Sequence, residues 1–206
     1  MEPEESELVA RARRLAAAGG RRVLGIAGPP GAGKSTVSAL IVAALGPDVA
    51  RLVGMDGFHY AQAELARLGR SHRKGQPDTF DALGYVALLR RLRESDDAVV
   101  YAPDFRRDLE EPIACAVPVP REVPLVVTEG NYLLVETEPW AAVHPLLDEA
   151  WYVEPDEALR VERLIARHIA FGRSPEAARE WVMRSDEPNA ELIKTTAHRA
   201  DLLVRL

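Results

Sequence analysis

The sequence predicts an α/β fold of three layers, in which a five-stranded parallel sheet is covered by helices on both faces. Two observations lead to this class. Short apolar runs alternate along the chain with longer segments whose apolar residues recur at helical spacing, which is the pattern of repeated strand–helix units. The chain also has 206 residues, 47% of them hydrophobic, which is enough to bury one substantial core. We therefore expect a single domain over residues 1–206.

The chain begins with a predicted helix that we expect to lie outside the sheet. Residues 3–18 place acidic side chains first and arginines later, an order that opposes the helix dipole, and the segment stops at Gly19 and Gly20. Residues 23–27 then form an apolar run of the kind that a buried parallel strand requires. After a glycine-rich loop, apolar residues recur at helical spacing from Lys34 to Leu45, which predicts a helix.

The loop between this strand and this helix carries a complete phosphate-binding pattern. Residues 28–36 read G-P-P-G-A-G-K-S-T, which contains G-x-x-x-x-G-K-[ST]. Its glycines let successive backbone N–H groups converge on a β-phosphate, Lys34 reaches the β and γ oxygens, and Ser35 ligates Mg²⁺. We therefore predict a nucleoside triphosphate site formed by Gly28, Gly31, Ala32, Gly33, Lys34, Ser35 and Thr36. The alternative is a glycine turn that binds nothing.

The remaining segments complete a P-loop NTPase fold, for which we expect the strand order 2-3-1-4-5. A second strand is predicted at 49–53, and a helix begins at Asp81. Residues 99–101 form another short apolar run, and the proline-bearing stretch that follows predicts an irregular excursion over 103–123 or a hairpin. The polar, basic segment 59–80 is expected to form a flap on the substrate side. The last three strands are predicted at 125–128, 150–153 and 201–204.

The composition argues against several classes of function. Lys and Arg number 26 and Asp and Glu 32, so the formal charge is −6 and no global basic field would attract nucleic acid or an anionic membrane surface. The single Cys115 excludes an intramolecular disulfide framework, the N-terminus lacks the pattern of a signal peptide, and no apolar run approaches about 20 residues. We expect a cytoplasmic protein that acts on a small molecule, with homodimerisation left open.

Two acidic residues follow predicted strands, at the edge of the sheet where ligands bind. Asp56 comes after strand 49–53, and we predict that it accepts or orients the proton of an acceptor hydroxyl. Its alternative role is to form a turn with Gly57. Glu129 follows strand 125–128 and is expected to bind Mg²⁺ directly or through water. The alternative for Glu129 is an exposed acid at the end of a strand.

A helix is predicted at about residues 156–171, after the strand at 150–153, and arginines lie along one face of it. At about 100° per residue, Arg160, Arg163 and Arg167 lie within about 60° of one another. With Arg173 in the following turn, they would form a lid over the phosphates at about residues 160–185. A solvated basic face is the alternative. The other side of the helix is apolar and is expected to pack through Ala158, Val161, Ile165 and Ile169.

The phosphate loop and five further motifs resemble the P-loop small-molecule kinases that include uridine kinase, phosphoribulokinase and the bacterial type of pantothenate kinase. The phosphate loop is highly specific for nucleotide binding, and the others match the family in order and spacing over most of the chain. The sequence is most similar to the compact nucleoside/nucleotide kinase-like branch. The further motifs are M-D-G-F-H at 55–59, Q-P-D-T-F-D at 76–81, Y-A-P-D-F-R-R at 101–107, T-E-G-N-Y-L-L at 128–134, and R-x-x-x-R-H with G-R over 163–173.

The resemblance implies an enzyme that uses ATP and Mg²⁺. By similarity, Asp56 faces the acceptor hydroxyl, Arg106 or Arg107 lies on the substrate side, and the lid arginines surround the ATP phosphates and adenine. The residues expected to be catalytic are Lys34, Asp56, Arg163 and Arg167. Those expected to bind ATP from the lid are Arg163, Arg167 and Arg173. Those expected to bind substrate are Asp56, His59, Tyr101, Arg106, Arg107, Glu129 and Asn131.

The leading hypothesis is therefore an ATP- and Mg²⁺-dependent kinase that phosphorylates a hydroxyl of a nucleoside, a sugar or a pantothenate-like acid. The alternative is a nucleotide-dependent regulatory switch or ATPase that acts on a protein partner. The sequence contains no N-K-x-D element for guanine selectivity, which argues against a GTP-dependent switch. The acidic charge balance disfavours a third class, the ATPases coupled to nucleic acid.

Overall fold

A five-stranded parallel sheet forms the middle layer of the structure, a computed structural model that describes residues 3–94 and 96–205. Along the chain the strands are β1 (Arg22–Ala27), β2 (Ala50–Gly54), β3 (Val99–Arg106), β4 (Glu111–Pro120), β5 (Leu125–Gly130), β6 (Glu149–Glu154) and β7 (Leu202–Arg205). The sheet contains β2, β5, β1, β6 and β7 in that order, and every neighbouring pair is parallel. Its central strands are almost entirely buried, as their continuous apolar sequences require.

The observed strand numbers differ from the expected 2-3-1-4-5 because β3 and β4 lie in sequence between the second and third strands of the sheet. Numbered within the sheet alone, the same arrangement reads 2-3-1-4-5. The register pairs Ala27 with Gly130 and Gly54 with Glu129. The carboxyl ends of β1, β2 and β5 therefore meet at one edge of the sheet.

Helices cover both faces of the sheet, as the predicted fold class requires. They are α1 (Pro3–Ala16), α2 (Lys34–Leu45), α3 (Gln62–Arg67), α4 (Ala82–Glu94), α5 (Glu157–Ala170), α6 (Pro175–Trp181) and α7 (Glu187–Lys194). On one face, α1 and α2 bury Leu8 and Ile41 against the sheet. On the other face, α4 buries Tyr85 and Leu89 in a cluster that includes Trp140. None of the helices within residues 3–94 and 96–205 is long and apolar enough to cross a bilayer.

Strands β3 and β4 form an antiparallel hairpin that is separate from the main sheet. Residues 99–101 begin β3, and the segment 103–123 takes the hairpin form rather than the irregular one. The hairpin lies close to the turn after β2, because a Cβ at Gly57 would be only 2.6 Å from the carbonyl oxygen of Pro103. This close approach places the hairpin beside Asp56.

Two further segments flank the carboxyl edge of the sheet. Residues 59–80 contain α3 and two 3₁₀ turns, and a bridge between His59 and Phe80 joins the ends of this segment. Residues 157–186 contain α5, α6 and a π-helical turn, Val182–Asp186. These are the segments that the sequence predicts as flap and lid.

Candidate active site

The phosphate loop connects the end of β1 to the start of α2, and its shape requires glycine. Gly31 and Gly33 have φ angles of +79° and +97°, a region that disfavours residues with side chains. A Cβ at Gly31 would lie 2.8 Å from Leu164 Cγ, and a Cβ at Gly28 would lie 2.8 Å from the carbonyl oxygen of Val153. The loop therefore packs directly against α5 and β6.

Lys34 is the first residue of α2 and is buried, with 8% of its surface exposed. Its ammonium donates hydrogen bonds to the carbonyl oxygen of Pro29 at 3.0 Å and to Asn131 Oδ1 at 2.7 Å. Burial lowers the pKa of Lys34 to about 8, although the nearby carboxylates of Glu129 and Asp56 act to raise it. The loop lysine is thus fixed next to the end of β5 and close to two acidic side chains.

Ser35 and Glu129, the residues expected to hold Mg²⁺, are adjacent. The Ser35 hydroxyl donates to Glu129 Oε1 at 3.2 Å. Burial raises the pKa of Glu129, and the neighbouring Lys34 ammonium opposes that rise. A hydroxyl and a carboxylate oxygen are the hard ligands that Mg²⁺ prefers, and Mg²⁺ in kinase sites takes its other ligands from water and phosphate. The residues present therefore fit the ion.

Asp56 lies in a 3₁₀ turn directly after β2. Arg107, which follows β3, donates from Nη2 to Asp56 Oδ2 at 3.2 Å. The Nδ1 atom of His59 lies 2.8 Å from the carbonyl oxygen of Asp56. The His59 ring also contacts the rings of Phe80 and Phe105, with centroid separations of 4.0 and 4.8 Å. Burial lowers the pKa of His59, which favours the neutral imidazole.

One cavity of about 750 Å³ at the carboxyl edge of the sheet is bordered by Lys34, Ser35, Asp56, His59, Arg107 and Glu129. This volume is typical of sites for small molecules. The predicted site residues that line the cavity are Gly31, Gly33, Lys34, Ser35, Asp56, His59, Arg107, Glu129, Asn131, Arg167 and Arg173. The predicted site residues outside its lining are Gly28, Ala32, Thr36, Tyr101, Arg106 and Arg163.

Tyr101 and Arg106 do not line the cavity, contrary to their expected role in substrate binding. Tyr101 is 52% exposed on β3, and Arg106 forms an exposed ion pair with Asp108. Side chains alternate along a strand, so Phe105 and Arg107 enter the cavity while Arg106, between them, does not. Of the two arginines that the resemblance placed on the substrate side, the structure favours Arg107.

The expected packing of α5 holds only in part, because Val161 and Ile165 are half-buried but other residues of the helix differ from expectation. Arg160, expected on the open basic face, is fully buried, whereas Ala158 and Ile169, expected to pack, are exposed. The Arg160 guanidinium donates to Glu157 Oε2 at 2.9 Å and to Glu187 Oε1 at 2.6 Å. These bonds compensate the burial of its charge, and the bond to Glu187 joins α5 to α7.

The other predicted lid arginines differ in their surroundings. Arg163 lies exposed on α5, whereas Arg167 and Arg173 line the cavity. Arg173 stacks on Trp181, with 4.1 Å between the guanidinium carbon and the ring centroid. Burial and the proximity of Arg107 lower the pKa of Arg167. In the part of the chain that the structure describes, Arg167 is not hydrogen-bonded to a carboxylate, so its positive charge is open to an anionic ligand.

The sequence analysis assigned no specific role to several residues that line the cavity. Lys74 belongs to the basic segment 59–80, and the basic composition of this segment indicated that one of its cations could face the ligand. Its ammonium donates to the carbonyl oxygen of Glu110 at 2.6 Å and lies 5.0 Å from the centroid of the Phe105 ring. The π-helical turn that precedes α7 has no sequence signature that we recognise, so nothing pointed to its last residue. The residues of the lining that the sequence did not single out as site residues include Lys74, Phe105, Trp181, Asp186 and Asn189.

Residues 23–206 match the model of the phosphoribulokinase / uridine kinase family. The match covers most of the chain and contains every residue of the cavity described above. The chain belongs to this family. It is accordingly an ATP-dependent small-molecule kinase.

The names of individual relatives of this kinase refer to different small molecules. A Schizosaccharomyces pombe protein provisionally named as a uridine kinase is 30% identical, over 97% of this chain and 89% of its own length. A pantothenate kinase of Sorangium cellulosum is 34% identical, over 83% of this chain and 60% of its own. The crystal structure of a kinase from Silicibacter sp. TM1040, provisionally assigned to a fructose transport system, is 32% identical. That structure superimposes with a TM-score of 0.88 over 99% of this chain and 100% of its own.

The burial of Arg160 predicts that this residue contributes to the stability of the kinase. Arg160→Ala should lower the free energy of unfolding by about 2–5 kcal/mol, the range for truncation of a large buried side chain. Arg163→Ala is the matched control, because Arg163 is exposed on the same helix and should change stability by no more than about 0.5 kcal/mol. Urea unfolding followed by circular dichroism measures both. Equal stability of the two variants would contradict the structural role of Arg160.

The lowered pKa of Lys34 predicts that the affinity of the free kinase for ATP falls as the pH rises through about 8. Above that pH the ammonium loses the proton that gives it the charge for binding phosphate. The alkaline limb of kcat/KM for ATP reports this group in the free enzyme. Lys34→Arg should move the limb upward, because a guanidinium keeps its charge to above about pH 12. A limb that Lys34→Arg leaves in place would exclude Lys34 as its origin.

Proposed function

We propose that this kinase transfers the γ-phosphoryl group of ATP to a hydroxyl of a small metabolite, such as a nucleoside, a sugar or a pantothenate-like acid. The observation that carries the proposal is the convergence of Lys34, Asp56 and Glu129 on one cavity. Phosphoryl transfer depends mainly on positioning and charge neutralisation. These three residues would supply a phosphate-binding cation at the start of α2, an acid for the acceptor after β2, and a metal ligand near the carboxyl end of β5.

The donor phosphates would lie over the loop between β1 and α2. Backbone N–H groups of the loop and of the start of α2 can donate hydrogen bonds to these phosphates, and Lys34 adds a positive charge. Ser35 and Glu129 would hold Mg²⁺, which when bound neutralises charge on phosphate oxygens. Arg167 and Arg173 line the same space from the lid, where a closed lid would exclude water from the reaction.

Asp56 would act at the acceptor end of the cavity. In the transfer, the acceptor oxygen forms a bond to the γ-phosphorus, and the bond between that phosphorus and the β–γ bridging oxygen breaks. The proton of the acceptor hydroxyl moves to a carboxylate oxygen of Asp56. Arg107 donates to Oδ2 of Asp56 and so orients the carboxylate. His59 and Arg107 form the wall next to Asp56 and would contact the acceptor.

The relatives support a hydroxyl acceptor without selecting one. Uridine, pantothenate and fructose, which appear in their names, differ in size and charge, but each carries hydroxyl groups. The shared chemistry is therefore transfer to an alcohol oxygen, and the wall of the cavity opposite the phosphate loop decides which alcohol fits.

A screen of acceptors tests the proposal. ADP formation from MgATP would be measured with nucleosides, sugars, pantothenate and the monophosphates of these compounds, and products would be identified by mass spectrometry. We expect one class of unphosphorylated alcohol to stimulate ADP formation and to gain one phosphoryl group. Preference for a monophosphate would contradict the unphosphorylated acceptor. Turnover that requires a protein partner and ignores every metabolite would favour the regulatory switch instead.

A further inference from the structure

Asn131 holds the lysine of the phosphate loop with a neutral group. Its Oδ1 accepts a hydrogen bond from Lys34 Nζ at 2.7 Å, and the carbonyl oxygen of Pro29 accepts a second one at 3.0 Å. Both acceptors are uncharged. Among the residues that the structure describes, Lys34 forms no ion pair, although the carboxylates of Glu129 and Asp56 are near enough to influence it.

The place of Asn131 follows from the sheet. β5 lies beside β1, and their register pairs Gly130 with Ala27. Asn131 is the next residue of the chain, so it leaves β5 at the edge of the sheet where the phosphate loop leaves β1. A Cβ at Gly130 would be 2.6 Å from Met55 Cβ. Tight packing thus fixes the backbone immediately before Asn131.

A neutral acceptor has a specific advantage for this lysine. A buried ammonium needs hydrogen-bond acceptors. A carboxylate would provide them, but it would also neutralise the charge, and a phosphate would then have to compete with it. The amide oxygen of Asn131 and the carbonyl of Pro29 satisfy two of the three N–H donors of Lys34 and leave its charge and one donor available.

The contact between Asn131 and Lys34 also keeps Lys34 apart from Glu129, which has the opposite charge and a different ligand. Glu129 accepts a hydrogen bond from the Ser35 hydroxyl, in the pair proposed to bind Mg²⁺. Without its bond to Asn131, the ammonium of Lys34 would be drawn towards Glu129 by Coulomb attraction in a buried setting. The phosphate ligand and the metal ligand would then bind each other.

We propose that Asn131 is a positioning residue whose side-chain amide directs Lys34 towards the donor phosphates and withholds it from Glu129. This differs from a contact with the acceptor, which was the role expected from the sequence. The inference rests on the proposed function only in assigning Lys34 to the donor phosphates, and the identity of the acceptor does not enter it.

Two substitutions separate charge from shape. Asn131→Asp keeps the shape and an oxygen acceptor for Lys34 but adds a negative charge. Asn131→Gln keeps a neutral amide but changes the shape. MgATP affinity would be measured by calorimetry without any acceptor, together with the melting temperature of each variant. Thr195→Asp, on the exposed surface after α7, is the control for added charge and should bind MgATP as the unmodified protein does.

We expect Asn131→Asp to weaken MgATP binding by about 10- to 100-fold, the range for a hydrogen bond to a charged group. Its melting temperature should not fall, because Lys34 keeps a partner. Asn131→Gln should bind MgATP more tightly than Asn131→Asp does. Unchanged affinity of Asn131→Asp would overturn the inference, and so would the reverse order of the two variants, because shape alone would then matter.

The test holds even if one variant is unstable. If Asn131→Gln does not fold, Asn131→Asp decides the question alone, because it has nearly the same shape as the natural residue. The proposed function fails in a different way, through the absence of any phosphorylated acceptor with the unmodified enzyme. MgATP binding needs no acceptor, so the two failures are distinguishable.

Discussion

Asp56→Asn is expected to lower kcat by about 10²- to 10⁴-fold, the contribution of a positioned acid–base group, while leaving MgATP binding intact. Asparagine has the size of aspartate, and its amide oxygen can still accept the hydrogen bond that Arg107 donates to Asp56. It cannot take the proton of an acceptor hydroxyl. The measurement is kcat at saturating ATP and acceptor, with MgATP affinity determined separately by calorimetry.

Asp104→Asn is the matched control for this substitution. Asp104 is an exposed acid on β3 and does not line the cavity, so its variant should turn over as fast as the unmodified kinase. If Asp56→Asn also kept full turnover, Asp56 would have no part in proton transfer. Its role would then reduce to the turn that it forms with Gly57.

The positions of Asp56 and Glu129 could be predicted because each depends on the end of a strand, and the phosphate-binding pattern placed Lys34 at the start of the helix after β1. Parallel strands bring their carboxyl ends to one edge of the sheet, whatever the intervening loops do. Three apolar runs and the glycine-rich motif that follows the first of them were therefore enough to place a cation and two acids close together. The residues expected to lie nearest to the phosphates could be predicted from the sequence for the same reason.

Helix α5 shows the limit of periodicity. The spacing of three arginines correctly places them near one side of a helix, but it does not determine which side is buried. The usual assumption is that the apolar side packs. Here Arg160 is the buried residue, because Glu157 and Glu187 compensate its charge. Glu187 is 27 residues further along the chain, and no local pattern reveals such a contact.

The hairpin shows a second limit. Val100 and Ala102 are buried, so even-numbered residues of β3 point inward at the start of the strand. The register with β4 shifts between Ala102 and Asp104, and such an irregularity can re-aim the side chains that follow. After the shift, the odd-numbered Phe105 and Arg107 line the cavity. Counting along the motif could not show this reversal, so the sequence predicted Tyr101 and both Arg106 and Arg107 as substrate-binding residues, but not Phe105.

Lys34→Ala is expected to lower kcat/KM for ATP by about 10²- to 10³-fold, the cost of removing one preorganised group that stabilises developing charge. The loss should not come from unfolding. The ammonium is buried and its pKa is lowered by that burial, so the substitution removes a charge that is costly to bury. We therefore expect a melting temperature close to that of the unmodified kinase. Steady-state kinetics and thermal denaturation measure the two quantities.

Lys194→Ala is the control, because Lys194 pairs with Glu157 and Glu191 outside the cavity lining and should keep full activity. Full activity of Lys34→Ala would invalidate the phosphate-loop assignment, and the role proposed for Asn131 would fail with it. Loss of MgATP binding in Lys34→Ala, combined with normal turnover in Asp56→Asn, would support the role of Lys34 in binding ATP. It would contradict only the role of Asp56 in accepting the proton of the acceptor hydroxyl. The two substitutions therefore test the two ends of the cavity independently.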